Sequence, residues 1–494
     1  MGVGRRGNAV LGALLGELGW SLSQLAEVIN DSLGPGSVGR STVSDWVHHD
    51  RVPRDPLPTV VAHLLSDALD REVPVAQVWS GRAQPAEFWV PADAELRLPW
   101  TTMGTVEVLD DWLRHTGGTI GMDRRIFLAV SGATLTGPAW DYVDRLATRG
   151  ASFATLASER CSITVTSAMV DTVAATTASI RRLGDVEGGN ADNLRFVHHH
   201  LTWVAKLLRQ ARFTSAAVAD RLLAEWAQLA QVAAWMANDA RQYGLCQRYF
   251  ISGLRAAHTA GDRSIGTLLL AEMGQARVHQ GRLGDGVDLG RAARDAVELA
   301  NAAYEAARAT PVAMRALAAS RFAMAQAAVG NARGFHATAE EARALLDTPG
   351  ALDTRPPYLG WFGPASLEGF VAQGTLTLAA ATSRDSRALV GSAEQVLGRR
   401  VTDPGTTPRI AVFHAVRLAR AHLATGDLDR AVPTAQLALR RLATVRSQRC
   451  SLVLRRLEED LAAVPPSRRP ASLRSLQDQL RSIHAEGQRQ ADAR

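Results

Sequence analysis

The feature that most constrains this chain is a series of helical segments, rich in alanine and leucine, from residue 152 to the C-terminus. In the clearest unit, residues 412–445, a first segment is followed by a turn at Gly426 and by a second segment. Small residues recur where the paired helices would touch, at Ala415, Ala419, Ala431, Ala435 and Ala438. Looser copies begin near residues 227, 267 and 316, and a degraded copy covers residues 369–398. Such units bury their apolar faces only against their neighbours, so the sequence predicts an all-α stack of helix pairs.

A separate helical pattern occupies residues 20–54. Ser21 and Gln24 have the spacing of a capping box, and apolar residues follow them at helical intervals. Glycines and a proline before residue 40 then require a turn, after which Ser41 or Thr42 can cap a second helix. Further helices are predicted at residues 8–19 and 56–70, with a last turn at residues 74–79.

The second helix of this pattern leaves short polar side chains on its outward side, namely Arg40, Ser41, Thr42, Ser44 and Asp45. Side chains of this kind at the N-terminal end of a recognition helix reach base edges in the major groove of DNA. We therefore expect Arg40, Ser41, Thr42 and Ser44 to contact bases. We expect the residues that contact phosphates to be Ser23, Gln24, Arg51 and Arg54.

Residues 20–54 resemble the helix-turn-helix of the lambda-repressor-like class, with a longer loop between the helices. More closely, they resemble the N-terminal module of actinobacterial transcriptional regulators that join this domain to tetratricopeptide repeats. Some of those proteins are negative regulators of differentiation and antibiotic production. The resemblance implies a five-helix DNA-binding domain followed by an α-solenoid, and a repressor that binds an operator as a homodimer.

The two-part layout is also similar to that of peptide-sensing regulators of quorum sensing, whose repeats hold a peptide with asparagines on first helices. That similarity implies that a signalling peptide or protein binds in a concave groove. The candidate groove residues are Trp203, Trp235, Asn238 and Tyr243. The three tryptophans Trp203, Trp226 and Trp235 can equally be part of the core of the repeats.

We divide the chain into five parts on composition and periodicity. Residues 1–80 form the helix-turn-helix domain, residues 81–104 a proline-containing linker, and residues 105–225 a helical connecting region. Residues 226–450 carry the repeats, and residues 451–494 form a C-terminal helix and basic tail. Trp89 and Trp100 indicate that the linker docks on the protein surface.

Charge favours a second hypothesis. Residues 1–60 hold five arginines and six acidic residues, a balance of −1, whereas DNA affinity depends largely on neutralising phosphates. The alternative is therefore a repeat-containing interaction adaptor whose first domain has lost DNA binding. From Arg440 onward, the chain contains twelve arginines and six acidic residues. This run predicts either a second phosphate-contacting surface or, as we favour, a solvated terminal helix at residues 473–483 with a frayed tail.

Other classes of function find little support in the sequence. No phosphate-binding loop, dinucleotide-binding motif or zinc-protease motif is present, so we expect no enzyme and no cofactor. His198, His199 and His200 would face different directions on a helix, and Cys161, Cys246 and Cys450 are too far apart to suggest a metal or disulfide framework. The twin arginines in residues 123–128 lie too deep in the chain for an export signal. We therefore expect a cytoplasmic protein without a membrane partner.

Overall fold

The computed structural model describes residues 7–33, 38–54, 57–69, 71, 73–83, 98–116, 129–147, 153–156, 163–283, 289–381, 386–442, 445 and 447–492. Within these ranges the chain is almost entirely helical, which confirms the predicted all-α class. Two short strands, β1 (Thr164–Val165) and β2 (Arg212–Phe213), pair in parallel beside these helices.

The N-terminal head has five helices around one apolar core. They are α1 (Ala9–Leu18), α2 (Leu22–Leu33), α3 (Arg40–His49), α4 (Leu57–Leu69) and α5 (Val75–Val78). The core includes Trp46 and Trp79, whose rings meet edge to face with centroids 6.0 Å apart. Burial of Trp79 leaves no polar atom unsatisfied, because its Nε1 donates to the carbonyl of Pro58 at 3.0 Å.

Local hydrogen bonds define where these helices begin. Asn8 caps α1, since its side chain accepts from Leu11 N and donates to Val78 O, both at 2.9 Å. The predicted capping box is confirmed: Ser21 N donates to Gln24 Oε1 at 2.7 Å, and Gln24 N donates to Ser21 Oγ at 3.2 Å. The predicted cap of α3 is wrong, because Gly39 precedes this helix and no side chain caps it.

The connecting region contains α6 (Thr102–Thr116), α7 (Ala133–Asp144), α8 (Ser167–Glu187) and α9 (Ala191–Gln210). Trp100 is buried beneath the guanidinium of Arg255, whose carbon lies 4.6 Å from the ring centroid. The end of the predicted linker therefore docks as expected, and its other tryptophan, Trp89, lies outside the described residues. The twin-arginine run at residues 123–128 also lies outside them.

The rest of the chain consists of consecutive helical hairpins. They are α10 (Ala216–Asp239) with α11 (Tyr243–Ala260), α12 (Arg263–Leu283) with α13 (Leu289–Ala306), α14 (Val312–Ala328) with α15 (Ala332–Leu346), α16 (Pro364–Ala381) with α17 (Ser386–Thr402), α18 (Pro408–Ala424) with α19 (Leu428–Leu442), and α20 (Gln448–Ala462) with α21 (Ala471–Asp492). Each first helix also packs on the first helix of the next hairpin, and α20 returns to contact α10 and α12. The five predicted helix pairs are thus present.

The C-terminal prediction needs correction. The terminal helix is not simply solvated, because Leu473, Leu476 and Leu480 are fully buried against the preceding hairpin. The α20–α21 hairpin covers an apolar face that the stack would otherwise expose. The predicted boundaries at residues 226 and 450 both fall inside helices, since α10 begins at Ala216 and α20 at Gln448.

Candidate nucleic-acid interface and inner cavities

The outward side of α3 is polar and accessible at its N-terminal end. Arg40, Ser41 and Thr42 are exposed, because the opposite side of the helix is anchored in the core by Val43 and Trp46. Since Gly39 takes the cap position, neither hydroxyl is used to cap the helix. Ser44 and Asp45, the other two residues predicted on this surface, are half-buried.

Two of the predicted contact residues are engaged with each other. Asp45 accepts from Arg51 at 2.6 Å and lies 3.2 Å from the ring of His49. The guanidinium of Arg51 is therefore neutralised by a carboxylate on α3. Arg54 is exposed, and among the described residues it forms no ion pair. Arg51 thus reaches a phosphate only by giving up its pair with Asp45.

The start of α2 presents a narrower set of donors than predicted. Gln24 is exposed, but its side-chain oxygen is already used in the capping box, so its amide nitrogen is the group that can donate to a phosphate. Ser23 is half-buried. The loop that follows α2 is held at its far end by Asn30, whose side chain donates to Val38 O and accepts from Val38 N, both at 2.8 Å. This clamp joins the end of α2 to the residues that precede α3.

Inside the stack of hairpins lies a cavity of about 500 Å³, which we call the inner chamber. Its wall is built mostly by the first helices α10, α12, α14, α16, α18 and α20. Six arginines and four carboxylates are among the described residues that line it, together with Trp235, Trp361, Phe370 and Phe413. A second cavity of about 830 Å³ shares part of this wall, including Phe413 and Arg417.

The structure places one of the four predicted groove residues at a cavity. Trp235 lines the inner chamber, but Trp203, Asn238 and Tyr243 line neither cavity. Asn238 is 1% exposed and accepts from Gln280 Nε2 at 3.0 Å, which places it between α10 and α12. Trp203 lies beside His200, with ring centroids 5.4 Å apart, and Tyr243 is half-buried at the start of α11. Trp226 is fully buried, as expected of a core residue.

The charged residue that α10 contributes to the inner chamber is Asp239. Its Oδ2 accepts from Arg409 Nη1 at 2.8 Å and from Gly189 N at 3.2 Å, and its Oδ1 lies 2.9 Å from Arg449 Nε. The pKa of Arg409 is raised above its usual value by the carboxylates of Asp239 and Asp185, although burial alone would lower it. This single buried carboxylate therefore connects the first hairpin to α18 and α20.

Three cationic or titratable residues on the opposite part of the wall were missed by the sequence predictions. Arg400 ends α17, and His414 and Arg417 lie one turn apart on α18. Arg417 donates to Gln373 Oε1, and Arg400 Nη1 donates to the carbonyl of Ala365 at 2.7 Å. The available signal was a pair of polar residues, His414 and Arg417, spaced for one helix face within a first helix.

The three adjacent histidines of α9 face different directions, as their spacing predicted. His198 is buried and lies 2.7 Å from the hydroxyl of Tyr249, His199 is exposed, and His200 is half-buried beside Trp203. Among the described residues, no group of three or more His, Cys, Asp or Glu side chains is arranged to hold a metal ion. Burial raises the pKa of the Cys246 thiol above its usual range and that of Cys450 to about 12.

No single described helix is both long and apolar enough to cross a bilayer, whereas the bent pair Ala9–Leu18 and Leu22–Asn30, with 85° between its helices, passes the same test of length and composition.

Comparison with known proteins gives one match. The model of a family described as the SP15 N-terminal domain matches residues 11–78, which is the head from α1 to α5. No curated protein and no solved structure matches the chain. The head is therefore similar to the SP15 N-terminal domain, and the comparisons say nothing about the body of hairpins that follows it.

Proposed function

We propose that this chain is a DNA-binding transcriptional regulator whose helical body binds a regulatory ligand. The observation that carries the proposal is the exposed N-terminal end of α3, where Arg40, Ser41 and Thr42 project from a helix whose other side is buried. In this proposal α2 and α3 form a helix-turn-helix, and the N-terminal residues of α3 read base edges in the major groove.

The body then supplies the regulation. We assign the hairpins of α10 to α19 to an α-solenoid of tetratricopeptide-like repeats that senses a peptide or protein partner. In a homodimer such a body sets the distance between the two heads, and a ligand changes that distance only if it binds one arrangement more tightly than the other. Repression is the direction that the resemblance to actinobacterial regulators implies.

The second candidate is an interaction adaptor whose head no longer binds DNA. The pair between Asp45 and Arg51 favours it, because it removes a cation from the proposed contact surface. Two further head arginines are paired with acids, Arg71 with Glu17 at 2.7 Å and Arg82 with Asp50 at 2.5 Å. Within the described part of the head, few arginines outside such pairs remain for the electrostatic part of DNA affinity.

Selection from a randomised double-stranded DNA library with the full-length protein separates the two functions. A regulator enriches a defined motif, which is two-fold symmetric if the protein binds as a dimer, and an adaptor enriches none. Affinity for the selected motif is then measured by fluorescence anisotropy at two salt concentrations. We expect the Arg40→Ala, Thr42→Ala double variant to lose about 10- to 100-fold in affinity for the motif, since each base contact contributes roughly 1–3 kcal/mol of discrimination.

The matched control is Arg71→Ala, which removes the same charge from a turn of the head that is paired with α1. We expect this variant to bind the motif within about twofold of the wild type, because a surface ion pair contributes little. Equal losses in the two variants would assign binding to overall charge, and absence of any enriched motif would leave the adaptor as the function.

A further inference from the structure

The part of the inner chamber around Arg400 has the features of an anion site, in which the exposed Asp403 is the carboxylate that acts on the guanidinium. Arg400 Nη1 donates to a backbone carbonyl, and its Nε is buried without a hydrogen-bond partner among the described residues. Gly369 makes room for this guanidinium, because a Cβ there would come within 3.2 Å of Arg400 Cδ and Nε. The nearest acid in sequence, Asp403, is exposed and accepts from Gly405 N at 2.9 Å.

Arg417 adds a second positive charge to this wall, and the neutral His414 lies close to both arginines. His414 is 3% exposed, and its Nδ1 has no hydrogen-bond partner in the described part of the chain. The pKa of His414 is lowered to about 3, first by burial and then by the guanidinium groups of Arg400 and Arg417. Those two arginines are therefore close enough for each to act on the imidazole. Arg417 has the uncharged side chain of Gln373 as a hydrogen-bond partner.

The two buried carboxylates of the inner chamber are paired with arginines other than Arg400 and Arg417. Asp239 serves Arg409 and Arg449, and Glu272 pairs with Arg321 at 3.1 Å. Since six arginines and four carboxylates are among the described lining residues, the wall carries an excess of positive charge. An excess of guanidinium groups over carboxylates in a partly desolvated wall is costly, and an anionic ligand reduces that cost.

Apolar surface completes the site. Trp361 is 43% exposed and Phe370 lies beside it, with ring centroids 6.1 Å apart, and both line the same chamber. Phe370 and Arg400 line the same chamber, and the guanidinium that lies over the Phe370 ring, 3.9 Å from its centroid, is that of Arg321. A volume of about 500 Å³ is in the range of sites that bind small organic molecules.

We propose that the inner chamber binds a carboxylate carried on an apolar body, with the carboxylate at Arg400 and Arg417 and the body against Trp361 and Phe370. The carboxylate belongs either to a free organic acid or to the C-terminus of a short apolar peptide, and the chemistry at the arginines is the same for both. This inference rests on the proposed function only in treating the bound molecule as the regulatory ligand. Binding itself requires neither the head nor DNA.

The test is a competition assay on the full-length protein without DNA. Anilinonaphthalene sulfonate, an aromatic anion that fluoresces in apolar surroundings, is bound first and then displaced by phenylbutyrate or by the neutral phenylbutyramide. We expect saturable displacement by the acid, and at least about tenfold weaker displacement by the amide, because a charge-assisted hydrogen bond contributes roughly 1.5–3 kcal/mol. A second arm uses the tetrapeptide Ala-Ala-Leu-Phe as the free acid and as its amide, so that the two sources of carboxylate are distinguished.

Two adjacent arginines of α17 give a matched pair of variants. Arg400→Gln is expected to weaken displacement by the better acid about tenfold or more, whereas Arg399→Gln leaves it unchanged, since Arg399 is exposed and outside both cavities. Thermal melts check that both variants fold. Equal displacement by acids and amides of the wild type overturns the proposal without any variant, as does an equal response of the two glutamine variants. DNA selection is a separate measurement, so failure of the regulator hypothesis and failure of this site are distinguishable.

Discussion

At the scale of single residues, His414 is the clearest case of a group that folding holds in one protonation state. It lies in the inner chamber at 3% exposure, between two arginines, and the pKa of its imidazole falls from 6.5 to about 3. Burial is the larger cause, because a charged imidazole loses its hydration there, and the arginines add repulsion. The folded protein therefore keeps His414 neutral while the unfolded chain takes up a proton near pH 6.5.

This difference predicts an acid-sensitive stability. Because the folded pKa is lowered, the contribution of His414 is fully present above pH 6.5 and is lost as the pH falls toward 3. Between pH 7 and pH 5 the loss from this one group is about 2 kcal/mol. We expect His414→Gln to lose that much less stability than the wild type over this interval, measured by denaturant unfolding at each pH.

The comparison isolates one histidine, because burial also lowers the pKa of His200, His258 and His422 and these are present in both proteins. Parallel pH curves for the wild type and His414→Gln would show that His414 is protonated in the folded state, contrary to its burial between Arg400 and Arg417.

A residue-scale difference also separates the predicted groove residue Asn238 from the inner chamber. Neighbouring residues of an α-helix point about 100° apart, so a prediction displaced by one position addresses a different surface. Asn238 faces α12 and Gln280, whereas Asp239 faces the inner chamber. The capping box at Ser21 and Gln24 was predictable, in contrast, because all its partners lie within four residues of each other.

At the scale of elements, two glycines inside helices show the effect of packing on stability apart from the effect of helix propensity. Gly374 on α16 and Gly391 on α17 both occupy helix interiors. A Cβ at Gly374 would lie 2.5 Å from Cε2 of Phe335, a fully buried ring on α15, whereas no atom lies within 4 Å of a Cβ at Gly391. Gly374 therefore permits the close approach of α16 to α15.

The two glycines predict opposite effects of the same substitution. Gly391→Ala is expected to stabilise the protein by about 0.5–1 kcal/mol, since alanine is the better helix former. Gly374→Ala has the same propensity gain but forces Phe335 to move in a packed core, which costs about 1–3 kcal/mol. Thermal melts of the two variants should therefore shift in opposite directions.

A rise in melting temperature for Gly374→Ala would show that the contact between α15 and α16 is loose enough to accept a methyl group. The Gly391→Ala variant provides the baseline, because it measures the propensity term without a new contact.

The helices were predictable because the spacing of apolar residues along a short stretch of sequence reveals a helical period. The buried faces of α3 and α18 follow this period. The pairing of consecutive helices was predictable for the same reason, since Gly426 and the alanines around it define a turn between two packed segments. The burial of Leu473, Leu476 and Leu480 was not, because polar residues occupy most of the other positions of α21. The apolar stripe of α21 can be recognised as a buried face only when the exposed apolar face of the preceding hairpin is known.

At the scale of the whole molecule, the stack of hairpins closes on itself. Asp239 at the end of α10 meets Arg409 of α18 and Arg449 of α20, although these residues are 170 and more positions apart in sequence. The same contact brings in Gly189, from the turn before α9. Such a closure depends on the small rotation that each hairpin adds to the next, which no local pattern contains. For that reason the inner chamber could not be predicted from the sequence.

The closure predicts that one carboxylate has a large effect on the C-terminal hairpins. Asp239→Asn removes the carboxylate paired with Arg449 and leaves Arg409 only Asp185, 3.7 Å away, and breaking a buried pair in this way costs about 3–5 kcal/mol. We expect a lower melting temperature and faster backbone hydrogen exchange in Pro408–Ala424 and Gln448–Ala462, the helices that carry the two arginines. Exchange in the head, which has its own core, should not change.

The appropriate control is Asp171→Asn, which removes a carboxylate from an exposed pair with Arg221 at 2.6 Å. Solvent screens that pair, so its loss should cost less than about 1 kcal/mol and leave exchange in α18 and α20 unaltered. If Asp239→Asn behaved like this control, the ends of the stack would be held together by apolar packing alone. If Asp239→Asn instead accelerates exchange in both α18 and α20, the buried carboxylate of Asp239 is what keeps the inner chamber closed. A ligand that enters near Arg400 then binds to a wall whose rigidity depends on the ion pairs of Asp239.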